Sequence, residues 1–121
     1  MNCCWKGASA SEILLHQCIS HLLGYDRRLI DFIFDPERPK IRKRAGILRE
    51  DAYRFSDEEQ LLIRAALDFW SGSGQLALWE MLETWESATW SRFIGALSQF
   101  RRLDRDKTMK AAEKPGKQRS C

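Results

Sequence analysis

Phe55-Ser-Asp-Glu-Glu-Gln-Leu-Leu-Ile-Arg-Ala-Ala-Leu-Asp-Phe-Trp-Ser-Gly-Ser-Gly74 is the stretch on which the fold turns. Ser56 and Glu59 stand at the spacing of a capping box, in which each side chain satisfies a backbone amide that the first helical turn leaves unpaired. Asp57 to Glu59 put negative charge at the positive end of the helix dipole, and Phe55 is placed as a hydrophobic staple. From Leu61 to Trp70 apolar residues cover most of the circumference, leaving Arg64 and Asp68, four apart, as one exposed ridge. Such a helix is central and is contacted from several sides. Gly72 and Gly74 end it, because glycine takes the left-handed conformation that closes a helix without steric cost.

On the C-terminal side, Leu78, Met81, Leu82 and Trp85 form the apolar stripe of a next helix, with Glu80, Glu83 and Glu86 opposite. Trp90, Phe93, Ile94, Leu97, Phe100 and Leu103 recur at three- and four-residue spacing on a last helix, which ends in Arg101 and Arg102, where bases suit the dipole. Beyond Leu103 the chain has few apolar residues, a Pro-Gly pair and an excess of lysine, the composition of a flexible tail.

On the N-terminal side, Tyr53 back to Pro36 carries a weak signal. Pro36 and Pro39 break the chain, residues 40–44 are basic, and Ile41, Ala45 and Leu48 make a marginal stripe interrupted by Gly46. It reads as a loop holding a helical turn or two. Before it, Asp26 caps a short helix with Leu29, Ile30, Ile33 and Phe34 at helical spacing, stopped by Pro36. Ser9 and Glu12 make another capping box, followed by Leu15, Cys18, Ile19, Leu22 and Leu23 on one face and Gly24 as the stop.

The expected fold is all-α, a small bundle of about five helices, the last three (about 57–70, 76–85 and 88–103) antiparallel with short turns. The expected organisation is a single helical domain over residues 1–103. It comprises N-terminal helices in 9–35, a basic linker at 36–54 and a three-helix core at 55–103, with 104–121 as a flexible basic tail. At 121 residues there is room for one core. The chain is 44% apolar and 31% charged, a balance that excludes a disordered polymer and a membrane protein. No apolar run reaches the roughly 18 to 20 residues of a spanning helix, and no leader is visible, so a cytoplasmic location without membrane contact is expected.

The net charge of +3 hides a segregation. Residues 27–54 and 101–121 are each strongly basic, whereas residues 55–100 hold two bases against seven acids. An acidic helical middle is therefore flanked by basic segments that can pair with it or with a partner. Trp70, Trp79, Trp85 and Trp90 fall in that middle; the ordinary role of such residues is core, and Trp79 is the one placed to face a partner.

Little here points to chemistry. The two histidines, His16 and His21, lie on different faces of the first helix, and no phosphate-binding loop, dinucleotide fingerprint, nucleophile elbow or metalloprotease motif occurs. The chain reads as no enzyme, with no cofactor. Cys3, Cys4, Cys18 and His21 supply four zinc-type ligands, although adjacent Cys3 and Cys4 form a poor first pair and Cys18 lies on the apolar stripe. A nucleic-acid reading rests on the short turn between the last two helices, compatible with a helix-turn-helix, and on Arg42, Lys43, Arg44, Arg101 and Arg102 as phosphate contacts. The acids of the preceding helix and the lack of bases early in the reading helix count against it. The reading that fits the whole pattern is a small non-catalytic accessory or regulatory factor that binds another protein. An inhibitor or adaptor of the type carried by phages and mobile elements fits that size, using Trp79, Glu80, Glu83 and Glu86. A homodimer through the first two helices is one version of it.

Overall fold

The computed structural model describes the backbone of residues 7–112 and the side chains of residues 7–103. Six α-helices follow in order among the described residues: α1 (Ala10–Leu22), α2 (Arg27–Ile33), α3 (Ala45–Asp51), α4 (Asp57–Ser71), α5 (Leu78–Thr84) and α6 (Ser87–Ala112). A single 3-10 turn, Ala52–Arg54, leads from α3 toward α4. The all-α bundle is as the sequence predicts, with six helices against about five: the helical turn or two expected within 36–54 form as α3.

The caps read from sequence are present. Ser9 Oγ accepts the Glu12 amide at 3.1 Å while Glu12 accepts the Ser9 amide at 2.9 Å, and Ser56 and Glu59 repeat the exchange at 3.2 and 3.3 Å. Asp26 accepts the Arg28 amide at 2.9 Å. Phe55 acts differently from a staple: its ring meets Phe32 of α2 edge-on at 5.0 Å, and the Arg54 guanidinium lies over both rings.

The first half of the chain supplies much of the core. Ile19, Leu22 and Leu23 at the end of α1, Leu29 and Ile33 of α2, Leu48 of α3, and Ile63 and Leu67 of α4 are wholly buried. Each such side chain contributes roughly 1.5 to 3 kcal/mol of transfer free energy. Most of the apolar surface of α1 and α2 is thus covered within one chain, with Leu14 of α1 left half exposed. α4 packs on α1, α2, α3 and α5, the central position its all-round apolarity predicts. α6 packs chiefly on α1 and also meets α4 through Phe69 on Phe93 and Phe100.

The α1–α6 contact depends on small residues that an apolar stripe does not reveal. Ala96 is fully buried, its carbonyl accepts the Cys18 thiol at 3.1 Å, and Gly95 sits opposite His21. Arg92 Nε donates to the Leu22 carbonyl at 3.3 Å, placing a cation at the negative end of α1. The side of α6 that faces inward is therefore Thr89, Phe93, Ala96 and Phe100, while Ile94 and Leu97, counted in the sequence stripe, stand exposed. α6 also runs past Leu103 to Ala112. Residues 104–112 hold no glycine or proline, and Asp104/Lys107 and Asp106/Lys110 fall at helix-supporting spacings. Residues 113–121 of the expected tail lie outside the described residues.

The basic segment at 36–54 is an ordered loop only as far as Arg44, after which α3 and the 3-10 turn follow. Asp35 accepts the amides of Glu37 and Arg38 at 2.8 and 3.0 Å, an Asx-type turn that holds its carboxyl below the usual carboxylate range. Backbone bonds Asp35–Lys40 and Arg42–Ile33 close the loop, and Phe34 and Ile41 form an isolated antiparallel bridge.

The Arg64/Asp68 pair is not the exposed ridge expected. Asp68 accepts the amides of Gly74 and Leu76 at 2.7 and 3.2 Å, Arg64 Nε donates to the Gly74 carbonyl at 3.2 Å, and its guanidinium reaches the Gln75 carbonyl. The two side chains grip the backbone returning from α4, so an i,i+4 pair that looks solvated in sequence is a clamp on the turn. The grip is close: a Cβ on Gly74 would stand 1.8 Å from the Arg64 carbonyl oxygen, a distance that backbone movement alone can relieve. Gly74→Ala is expected to lower stability by about 3 kcal/mol, within the range for overpacked sites, read as a fall in the urea midpoint.

His16 is buried on α1, with Phe34 edge-on at 4.9 Å and Phe34 in turn on Trp70 at 5.2 Å. Burial, and secondly the charge of Arg27, hold its pKa below the ordinary 6.5. The unfolded chain therefore takes up the proton first, and the stability present above pH 6.5 falls as pH drops through that value. Urea midpoints measured between neutrality and mild acid are expected to decline with acidification, and His16→Gln is expected to flatten that slope.

Candidate functional site

α5 is the element where exposed apolar surface concentrates. It has seven residues, follows a turn whose Ala77 offers no side-chain cap, and is anchored by Met81 and Trp85, both buried. The anchor residues are four apart and make the one ridge that turns inward. Leu78 is 63% exposed, Leu82 54% and Trp79 70%. The sequence stripe placed Leu78 and Leu82 in the core; the structure turns them outward beside Trp79.

Trp85 explains the orientation. Its indole N–H donates to the Glu58 carbonyl at 3.2 Å, and its ring packs on Trp90 at 5.6 Å and Phe93 at 5.3 Å. The Glu58 carboxylate accepts the Thr89 hydroxyl at 2.9 Å and the Glu86 amide at 3.4 Å. One glutamate at the start of α4 thus pins the α5–α6 junction, and the first turn of α6 is occupied by internal contacts. Thr89 is buried and Trp90 half-buried, while Ser87, Ala88 and Ser91 of that turn are exposed.

The acids are arranged along the same helix. Glu80 pairs with Arg64 at 3.1 Å and remains about half exposed. Glu80 and Glu83 line a shallow polar groove of about 300 Å³ between α4 and α5, together with Asp57, Gln60 and Thr84. Glu86 is exposed on the other side of the junction. Three acids against the single Arg64 give the groove a negative balance. Of the residues proposed from sequence, Trp79, Glu80 and Glu83 share this region. Sequence reasoning missed Leu78, Leu82 and Asp57; in the sequence the leucines belong to the same stripe as Met81 and Trp85.

The basic residues are dispersed. Arg42 donates to the Asp31 carbonyl and Lys43 pairs with Asp51 at 3.2 Å, so both are engaged within the fold. Arg44 is exposed at the start of α3, and Arg101 and Arg102 are exposed on α6. α3 packs on α4 whereas α6 packs chiefly on α1, so the two groups of cations belong to different helices.

Cys3 and Cys4 of the zinc-type set lie outside the described residues. Cys18 is buried, and desolvation pushes its thiol up to about 11 against a weaker opposing hydrogen bond from the Phe100 backbone. His21 lines a groove with it between α1 and α6. Among the described residues no group of three or more His, Cys, Asp and Glu side chains is placed to hold a metal ion. Comparison of the chain with known protein families, curated proteins and solved structures finds no match.

A thiol that is both buried and held protonated is a poor nucleophile. Cys18 is expected to resist iodoacetamide in the folded protein at pH 8 and to react fully in urea, measured by peptide mass mapping.

Proposed function

We propose that this chain is a small non-catalytic factor that binds another protein through α5, with Leu78, Trp79 and Leu82 as the apolar contact, Glu80 and Glu83 as its acidic border, and Glu86 as an exposed acid just beyond it. The observation that carries the reading is the exposure of three large apolar side chains on one seven-residue helix. Isolated exposed leucines are ordinary on a soluble protein, but a contiguous apolar patch bordered by charge is the anatomy of a binding surface. Trp79 is the natural anchor, since exposed tryptophans that become buried at an interface carry a large share of binding energy. The negative groove beside it selects a partner with basic groups at the edge of an apolar surface. An isologous contact between two copies would set the glutamate borders against each other, which favours a different protein as partner.

The nucleic-acid reading has less behind it, because Arg42 and Lys43 each already have a partner at the surface and the remaining cations lie on separate helices. No helix among the described residues is long and apolar enough to cross a membrane.

The test is affinity purification from the native host with quantitative mass spectrometry, comparing the natural chain with Trp79→Ala and with Glu80, Glu83 and Glu86 all changed to Lys. Trp79→Ala is expected to weaken a captured partner by about 2 to 4 kcal/mol, roughly 30-fold to 1000-fold, with the circular dichroism unchanged. Recovery of the same proteins at the same level by both folded variants would remove α5 as the site.

A further inference from the structure

The groove between α1 and α6 is separate from the α5 surface, and its lining has a different character. It encloses about 330 Å³, the lower end of the size range of small-molecule sites. Leu14 and Leu103 give it an apolar side, Tyr25 and His21 an aromatic one, and Gln99 and Arg102 bring polar groups to its edge. No acidic side chain lines it among the described residues, although the chain holds 17 acids.

Three further observations bear on what it takes. Leu14 is 47% exposed, so a large apolar surface stands uncovered beside the groove. Arg102 makes no hydrogen bond or ion pair with any described residue, whereas Arg28 and Arg64 are paired with carboxylates and Arg92 with a carbonyl. Tyr25 has φ of 58°, directly after Gly24 at 67°, so two consecutive left-handed residues turn the chain at the end of α1. That turn, closed by the Tyr25 amide on the Ser20 carbonyl at 2.8 Å, brings the tyrosine ring to the edge of His21 at 6.0 Å. A left-handed tyrosine is uncommon, and here the turn it makes sets its ring as one lip of the groove.

We propose that the α1–α6 groove binds a small carboxylate with an apolar body, of the size of a medium-chain fatty acid. Arg102 takes the carboxylate through its planar pair of N–H donors, Gln99 adds an amide, and Leu14, Leu103 and the Tyr25 ring cover the chain. The charge balance of the lining selects against a cation of the same shape, and a neutral alcohol keeps only the apolar contacts. The Cys18 thiol takes no part, since it is directed to the Ala96 carbonyl.

The test is titration of the full-length protein with decanoate, decan-1-ol and decylamine, followed by amide chemical shifts in two-dimensional NMR. Decanoate is expected to give saturable shifts centred on Leu14, His21, Tyr25, Gln99 and Arg102, with the Trp79 amide unmoved. Arg102→Gln is expected to weaken decanoate about tenfold, the effect of one lost charge-assisted hydrogen bond, and decanol by no more than about twofold. Leu14→Asn, at an exposed position that the fold tolerates, is expected to weaken both. The proposal is overturned if decanoate shifts do not saturate, if decylamine binds equally well, if Arg102→Gln leaves decanoate affinity unchanged, or if the shifts centre on α5. Because α5 is elsewhere, failure here leaves the protein-binding reading standing, and the reverse also holds.

Discussion

α4 is apolar around nearly its whole circumference, and the rest of the molecule is arranged by that constraint. A helix with no broad polar face has to be covered on every side, and α1, α2, α3 and α5 are the covers. Several of its few polar residues each fasten one of the covers. Glu59 takes Arg28 of α2 at 2.7 Å, Glu58 takes the α5–α6 junction, and Arg64 and Asp68 take the turn that leads into α5. Stability and connectivity come from the same fifteen residues.

Aromatic packing follows this division. On one side His16, Phe34 and Trp70 form a series from α1 through the end of α2 to α4. On the other, Phe69 of α4 meets Phe93 and Phe100 of α6 at 6.0 and 5.0 Å, and Trp85 and Trp90 extend the cluster past α5. Edge-on and tilted ring contacts of this kind fix geometry more strictly than aliphatic contact does. Three of the four tryptophans in the middle of the chain are wholly or half buried, and the fourth, Trp79, stands outside the cluster.

Local rules were legible in the sequence wherever a residue acts on its own neighbourhood. The boxes at Ser9 and Ser56, the Asp26 cap and the stop before Pro36 all concern backbone groups a few residues away, and all form as read. What was not legible concerns segments far apart in the chain. Periodicity shows that a helix has an apolar face but not which helix covers it, so the docking of α6 on α1 through Ala96 and Gly95 left no trace in a count of large apolar residues. The Arg64/Asp68 clamp was hidden for a related reason: its partners are backbone groups, which every residue has. The candidate site was half visible, since Trp79, Glu80 and Glu83 could be named from spacing, while Leu78 and Leu82 were assigned to the core with Met81 and Trp85, the ridge that does turn inward.

The shortness of α5 also decides what holds it in place. Seven residues with no side-chain N-cap do not make a stable helix alone, because the first turn costs more order than its hydrogen bonds return. α5 persists through Met81, Trp85 and the Arg64–Glu80 pair, so its order depends on tertiary contact more than on the helix itself. A partner seated on Leu78, Trp79 and Leu82 would add to those contacts, and binding at this surface is thereby tied to the order of one small helix on the bundle beneath it.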